Sequence, residues 1–123
     1  MNGQTPMKHS IWYLEGAVDE TGQIFRVPVG VRLFKVGREA GLDLSLPSQV
    51  VSSLHAELHL EGGRLQVRDL GSTNGTFVNK IPVEDSVTLQ DGDILQFATV
   101  AFKVCTTEAA AIDSLLSSTA TLD

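Results

Sequence analysis

The sequence predicts an all-β protein, folded as an antiparallel sandwich or barrel of many short strands. Apolar and polar residues alternate over short stretches between residues 11 and 105, and turn residues separate these stretches. The i, i+3, i+4, i+7 spacing of an amphipathic helix is hard to find in the same region. Short strands at such regular intervals are typical of β-sandwiches and barrels.

Four strands are predicted in the first part of this region, at residues 11–15, 23–27, 31–37 and 42–46. Pro47 ends the fourth strand, because proline has no N–H to donate to a neighbouring strand.

The clearest hairpin is predicted over residues 56–70, where Gly62-Gly63 supplies the two left-handed residues of a type I′ turn. Counting outward from this two-residue loop predicts the register: Glu61 with Arg64, Leu60 with Leu65, His59 with Gln66, Leu58 with Val67 and Glu57 with Arg68. The leucines and valine then share one face and opposite charges pair on the other, so a shift of one residue would destroy both patterns.

A second hairpin is predicted around Asp91-Gly92, which would join residues 87–90 to residues 93–97. A last strand follows, with one face buried, because Val100, Phe102 and Val104 alternate with Ala101, Lys103 and Cys105.

The 123 residues correspond to one domain. We expect a flexible leader at residues 1–10, the β-sheet domain at residues 11–105 and a linker or frayed helical tail at residues 106–123, which contain no cation. Nothing in the leader resembles a signal peptide, and no run of about 18 apolar residues predicts a membrane span.

The charge and the cysteine content exclude several classes of function. A net charge of -6 and a pI near 4.9 disfavour binding to nucleic acid or to an anionic membrane. Cys105 is the only cysteine, which excludes an internal disulfide and a cysteine-based zinc site. We therefore expect a cytoplasmic domain without a metal or cofactor.

Three stretches at predicted strand ends carry side chains that could converge on an anion: residues 36–38, 51–56 and 69–79. The guanidinium of Arg38 can form two hydrogen bonds with a phosphate group, and the hydroxyls of Ser52 and Ser53 can donate to it. Taken singly, each is more often an ordinary surface or turn residue. His55 is more often a structural residue that joins loops through its two ring nitrogens than a catalytic base.

The loop at residues 71–76 is predicted to be tight and rigid. Its Ser, Thr and Asn side chains bond local backbone, while Gly71 and Gly75 permit left-handed dihedral angles. Within this loop Thr73 offers a hydroxyl to phosphate, and Asn74 an amide to the backbone of a bound peptide.

In these residues the chain resembles the forkhead-associated (FHA) domain family, whose members read phosphothreonine peptides. The motifs occur in the family's order: Gly37-Arg38, Ser52-Ser53-Leu54-His55, Ser72-Thr73-Asn74-Gly75-Thr76 with Asn79, and the later run from Leu89 to Ile94. The resemblance covers roughly residues 11–105. It implies a sandwich of two twisted sheets, of the FHA/SMAD-like type, with the ligand loops at one end.

The resemblance also implies roles for individual residues. Arg38 and Ser52 would hold the phosphate with Ser53 and Thr73 beside them, and Asn74 would bond the ligand main chain. Gly37, His55 and Gly75 would support the loops, and Asn79 would lie near the surface that reads the residues after the phosphothreonine. This interpretation requires Arg38, Ser52, Thr73 and Asn74 to meet at one rim of the fold.

Three positions depart from the family pattern. Ser53 stands where many relatives have arginine, which removes one cation from the site. Lys80 stands where a glycine often completes an Asn-Gly turn, and would strain a left-handed position. Ala98 replaces a frequent glycine, a change expected to be structural only.

The predicted function is that of a phosphothreonine-peptide-binding signalling module in a larger regulatory protein, whose partner is a segment marked by a Ser/Thr kinase. A phosphate-independent scaffold or dimerisation domain is the alternative. An enzyme built on His55 and Ser52 is disfavoured, because no acid is placed to orient His55. A phosphorylated tail, at Thr106, Thr107, Thr119 or Thr121, could also bind the loops from within the same chain.

Overall fold

The computed structural model describes residues 10–108, which fold into eleven β-strands. The predicted leader, apart from Ser10, and residues 109–123 of the predicted tail lie outside the described residues. In chain order the strands are β1 (Ser10–Ala17), β2 (Ile24–Val29), β3 (Leu33–Gly37), β4 (Leu44–Ser45), β5 (Ala56–Glu61), β6 (Arg64–Asp69), β7 (Thr76–Val78), β8 (Ile81–Pro82), β9 (Ser86–Thr88), β10 (Ile94–Phe97) and β11 (Val100–Glu108).

The strands form two sheets, as an all-β sandwich requires. One sheet has six strands in the order β2-β1-β11-β10-β7-β8, and the other has five in the order β4-β3-β5-β6-β9. All neighbouring strands run antiparallel except β3 and β4, which pair in parallel through Val36 with Leu44 and Gly37 with Ser45. The predicted fold class is confirmed, with one parallel pair that the sequence did not indicate.

The core between the sheets consists of the alternate apolar residues of each strand. Its largest fully buried side chains are Phe97, Phe102, Leu14, Leu46, Leu58, Leu65, Leu89 and Leu95. Burying surface of this kind contributes about 25 cal/mol per Å², and this contribution holds the two sheets together.

The β5–β6 hairpin has the predicted register. All five predicted pairs occur, from Glu61 with Arg64 to Glu57 with Arg68. Gly62 and Gly63 have φ values of 60° and 78°, as the type I′ turn demands.

The second predicted hairpin is wrong. Strand β9 pairs with β6 in the five-stranded sheet, whereas β10 pairs with β11 and β7 in the six-stranded sheet. Of the two turn residues only Gly92 has a positive φ, 94°, so the turn lacks the type I′ geometry that folds a strand back on itself. Asp91-Gly92 therefore carries the chain from one sheet to the other.

The last strand extends beyond the predicted end of the domain at residue 105. Thr106 and Thr107 lie in β11, where they pair with Trp12 and Ile11 of β1. These two threonines are therefore part of the sheet rather than of a tail, while Thr119 and Thr121 lie outside the described residues.

The turn between β7 and β8 contains two residues with side chains in the left-handed region, Asn79 at φ 51° and Lys80 at φ 70°. Asparagine tolerates this region, but lysine is strained there. We expect Lys80→Gly to raise the free energy of unfolding by about 0.5–1 kcal/mol, measured by urea denaturation. Lys103→Gly, within β11, is the control and should destabilise by a similar amount. A loss of stability in Lys80→Gly would contradict this expectation.

Candidate functional site

Three loops meet at one end of the sandwich, following β3, preceding β5 and following β6. Backbone bonds join the first loop to the second, from the Arg38 amide to the Ser52 carbonyl (2.9 Å) and from the Glu39 amide to the Ser53 carbonyl (3.2 Å). The third loop joins the second through the Thr73 amide, which donates to Ser52 Oγ at 3.0 Å. The three loops therefore form one connected surface.

These loops border an open cleft of about 350 Å³. Its lining includes the five predicted residues Arg38, Ser52, Ser53, Thr73 and Asn74, together with Gln49, Val50 and Val51. The sequence singled out neither Gln49 nor Val50, and Val51 only as the first residue of the stretch 51–56, because nothing in a Gln-Val-Val run distinguishes it from an ordinary loop. Among residues 10–108, Arg38 is the single cation of the lining, so within this part of the chain an anion in the cleft depends on one guanidinium and on neutral donors.

The Arg38 side chain is exposed and lies across the second loop. Its Nη1 donates to the Val51 carbonyl, and its Nη2 donates to Ser53 Oγ at 3.3 Å. These bonds use some of the five N–H donors of the guanidinium and hold the group over the cleft. The remaining N–H groups are available to a ligand.

Ser52 and Thr73 present hydroxyl groups to the same cleft. Because Ser52 Oγ accepts a hydrogen bond from the Thr73 amide, its own proton remains available for donation. Thr73 itself is exposed. The two residues thus add neutral donors beside the guanidinium.

Asn74 uses its amide group within the protein. Its Nδ2 donates to the Val50 carbonyl at 2.8 Å and so ties the third loop to the second. The Oδ1 atom of the same side chain remains an acceptor that a peptide N–H can reach.

Gly37 permits close packing of the first loop against the second. A Cβ at this position would overlap the Ser53 carbonyl oxygen and would lie 2.8 Å from the carbonyl carbon of the same residue. The backbone of β3 approaches Ser53 this closely only because glycine has no side chain.

His55 is buried and bonds both neighbouring loops. Its Nδ1 accepts from the Ser52 amide at 3.0 Å, which leaves the proton on Nε2 to be donated to the Gly75 carbonyl at 2.8 Å. The imidazole also packs edge-on against Phe97, with ring centroids 5.9 Å apart. Both ring nitrogens are thus committed to holding the loops.

Asn79 lies apart from the cleft lining. Its Nδ2 donates to Asp93 Oδ1 at 3.0 Å, and its Oδ1 accepts from the Ile94 amide at 2.9 Å. Both ends of the amide therefore fix the β7–β8 turn to the start of β10. A contact with ligand residues after the phosphothreonine stays a prediction, and it would require one of these bonds to open.

Asp69 organises the third loop, although sequence reasoning did not select it. Its Oδ1 accepts from the Ser72 and Thr76 hydroxyls, both at 2.6 Å, and its Oδ2 accepts from the Gly71 and Ser72 amides, both at 3.0 Å. The sequence does contain a signal for this role, because an aspartate followed two and three residues later by Gly71 and Ser72 is typical of an Asx-turn.

Burial raises the pKa of Asp69, but hydrogen bonds from Ser72 and Thr76 outweigh it, so the pKa lies below its usual value. A carboxyl with a lowered folded-state pKa contributes stability that is complete above about pH 5 and is lost as the pH falls below about 4.

We expect Asp69→Asn to lower the free energy of unfolding by roughly 2–3 kcal/mol at neutral pH, because an amide cannot accept all four bonds. The loss should shrink below about pH 4, where the wild type itself loses this contribution. Asp19→Asn is the control, because within residues 10–108 the Asp19 carboxyl accepts hydrogen bonds from the exposed Thr21 and from no other residue. Urea denaturation at pH 7 and pH 3 measures both effects, and an equal loss at the two pH values would contradict the assignment.

Within residues 10–108, no group of three or more His, Cys, Asp or Glu side chains could hold a metal ion. The same range contains no helix long and apolar enough to cross a membrane.

Comparison with protein families and curated proteins places the chain among known sequences. The family model of the FHA domain matches residues 34–98. The glycogen accumulation regulator GarA of Mycolicibacterium smegmatis is 52% identical over 60 residues, a match that covers 49% of this chain and 37% of that protein. The chain thus covers less than half of this relative's length.

Solved structures give the same result. EmbR of Mycobacterium tuberculosis, in complex with a low-affinity phosphopeptide, superposes with a TM-score of 0.69 and 28% identity over 77% of this chain and 24% of that chain. The yeast Dun1 FHA domain, in complex with a doubly phosphorylated phosphothreonine peptide, superposes with a TM-score of 0.65 and 25% identity over 80% of this chain and 75% of that chain.

Proposed function

The chain belongs to the FHA domain family, and from this premise we propose that it binds phosphothreonine-containing segments of other proteins at the cleft described above. The observation that carries the proposal is the meeting of Arg38, Ser52 and Thr73 around one open cleft. A guanidinium and two hydroxyl groups are donors suited to the three acceptor oxygens of a phosphate group.

The expected affinity follows from the number of donors. A phosphothreonine carries about -1.5 to -2 charges at neutral pH, and each charge-assisted hydrogen bond contributes about 1.5–3 kcal/mol. Since about 1.4 kcal/mol is a tenfold change in affinity, two such bonds are enough for an on/off response to phosphorylation. The family resemblance adds a preference for threonine over serine, from a small apolar niche for the γ-methyl group.

We propose that the module binds its ligand without chemical turnover. The commitment of both His55 ring nitrogens to Ser52 and Gly75 supports this proposal, because a general base needs a free nitrogen near the reacting group. Ser52 Oγ is directed to the Thr73 amide rather than to the imidazole.

The relatives suggest the setting in which the module works. GarA is named as a regulator, and the relative from Corynebacterium efficiens, 43% identical over 60 residues, is named as an oxoglutarate dehydrogenase inhibitor. We therefore propose that this chain is the phosphopeptide-reading part of a larger cytoplasmic regulatory protein, whose partner is a segment marked by a Ser/Thr kinase.

The proposal is tested with an immobilised peptide pool that has one fixed phosphothreonine and degenerate flanking positions. The full chain should be retained at least about tenfold better by this pool than by the same pool after phosphatase treatment. A matched phosphoserine pool measures the contribution of the γ-methyl group. Equal retention by the phosphorylated and dephosphorylated pools would rule the proposal out.

A phosphate-independent scaffold remains the second candidate. It is favoured by two exposed apolar side chains beside the cleft, Val50 at 38% and Leu54 at 41%, and by the serine at position 53. Light scattering separates the two functions. Assembly of the chain that persists both in Arg38→Ala and after phosphatase treatment would favour the scaffold. Phosphate-dependent binding of a peptide to a monomeric chain would favour phosphopeptide recognition.

A further inference from the structure

A groove lies at the end of the sandwich opposite the cleft, on the outer face of the five-stranded sheet. It consists of two adjoining depressions of about 360 and 220 Å³ that share His59 and Glu61. Strand β5 begins beside His55 at the cleft and ends at Glu61 beside the Gly62-Gly63 turn, so the length of the strand separates the two sites. We call this feature the turn-end groove; it is lined mainly by Arg32, Leu33, His59, Glu61, Arg64 and Gln66.

The turn-end groove combines exposed apolar surface with cations. Leu33 is 42% exposed, and the adjacent Val31 is 47% exposed. Arg32 and Arg64 are both exposed, and neither forms an ion pair with any residue in the range 10–108. Among residues 10–108, the groove lining contains two arginines and one acid, Glu61, while the carboxylate of Glu57 bonds the lining residue His59 at 2.7 Å. An apolar segment with acidic residues matches it best.

Such a segment follows directly in the same chain. Residues 109–123 contain Asp113 and Asp123 with no lysine or arginine, and they contain the apolar residues Ile112, Leu115, Leu116 and Leu122. The isoleucine and the first two leucines follow the i, i+3, i+4 spacing of one helical face.

The chain leaves the sandwich at the end where the turn-end groove lies. The Trp12 indole Nε1 donates to the Gly63 carbonyl at 3.0 Å, and Trp12 pairs with Thr106 of β11. Glu108, the last described residue, is two residues beyond that pair. A segment of fifteen residues spans up to about 50 Å when extended, more than enough to reach the groove from this point.

We propose that residues 109–123 dock in the turn-end groove of their own sandwich, with their leucines on the Leu33 side and their aspartates near Arg32 and Arg64. The short connection gives the segment an effective concentration of about millimolar, so weak contacts are enough to populate the docked state. The docked segment would cover the groove and leave the cleft open. This proposal does not depend on phosphopeptide binding.

The test places a nitroxide spin label on the full chain at Ser118→Cys, in a Cys105→Ala background, and measures paramagnetic broadening of amide NMR signals. The signals of Leu33, His59 and Glu61 should lose most of their intensity, and those of Ser52 and Thr73 should not. The charge reversal Arg32→Glu with Arg64→Glu should restore most of the lost intensity. Lys80→Glu with Lys103→Glu, which reverses two exposed cations elsewhere, should leave the broadening unchanged.

Three results would overturn the proposal: broadening centred on the cleft or on the six-stranded sheet, no broadening, or broadening that occurs between labelled and unlabelled copies and disappears on dilution. The last result would assign the groove to a second copy. If the Cys105→Ala background does not fold, Asp113→Lys with Asp123→Lys in the natural cysteine background is the substitute. This variant should shift the Leu33 and Leu60 amide signals, and unchanged signals would equally overturn the proposal.

Discussion

Replacing Arg38 by alanine is expected to abolish the difference in affinity between phosphothreonine peptides and their unphosphorylated forms. In the part of the chain that the structure describes, Arg38 is the single cation lining the cleft, so no second guanidinium there can substitute for it. The loss of one or two charge-assisted bonds, at about 1.5–3 kcal/mol each, corresponds to a decrease in affinity of at least about tenfold. Isothermal titration with a peptide selected from the phosphothreonine pool measures the change.

Lys35→Ala is the matched control, because Lys35 is an exposed cation on β3, the strand that precedes Arg38, and does not line the cleft. It should bind the phosphopeptide within about twofold of wild type, since exposed charges away from a site act mainly through screened fields. A phosphate preference that persists in Arg38→Ala would show that the amides and hydroxyls of the loops hold the phosphate without this side chain.

Gly37→Ala is expected to have the largest effect on stability among single methyl additions in the loop region. The added Cβ would overlap the Ser53 carbonyl oxygen, a backbone atom that cannot rotate away. The strand and the loop must therefore separate, at a cost of about 1–3 kcal/mol or more. Separation would also break the bonds from the Arg38 and Glu39 amides to Ser52 and Ser53, so phosphopeptide affinity should fall together with stability.

Gly30→Ala is the control for this effect, because a Cβ on Gly30 would meet nothing within 4 Å and its φ is not left-handed. The melting temperature of Gly30→Ala should lie within a few degrees of wild type, and that of Gly37→Ala should be clearly lower. A loss of about 1 kcal/mol corresponds to roughly 4–8 °C in a domain of this size. Equal melting temperatures for the two variants would mean that the loop yields without strain.

The Arg38 and Gly37 variants distinguish ligand binding from stabilisation of the loops. Arg38→Ala should remove binding and leave the melting temperature close to wild type, because the guanidinium is exposed and its hydrogen bonds go to Val51 and Ser53 of the adjoining loop. Gly37→Ala should lower both. Comparing binding with stability therefore distinguishes the side chains that face the ligand from the residues that hold the loops.

Local pattern alone was enough to predict the β5–β6 hairpin and its register. Two adjacent glycines define the turn geometry, and a slip of one residue would expose Leu58 and Val67 to solvent. The order of the motifs around Arg38, Ser52 and Thr73 was likewise enough to predict the family, because the spacing between these motifs is a property of the chain and not of its packing.

The tertiary structure decided which strands become neighbours and which polar groups already form hydrogen bonds within the protein. Asp91-Gly92 resembles a hairpin turn in sequence, but pairing of β9 with β6 and of β10 with β11 makes it a crossing between sheets. Asn74 and Asn79 each offer an amide to a ligand, yet their hydrogen bonds go to Val50 and Asp93 within the protein. A turn depends on adjacent residues, and the sequence states those directly. Strand pairing and hydrogen-bond partners depend on residues far apart in the chain, whose distances are set only when both sheets close over one core.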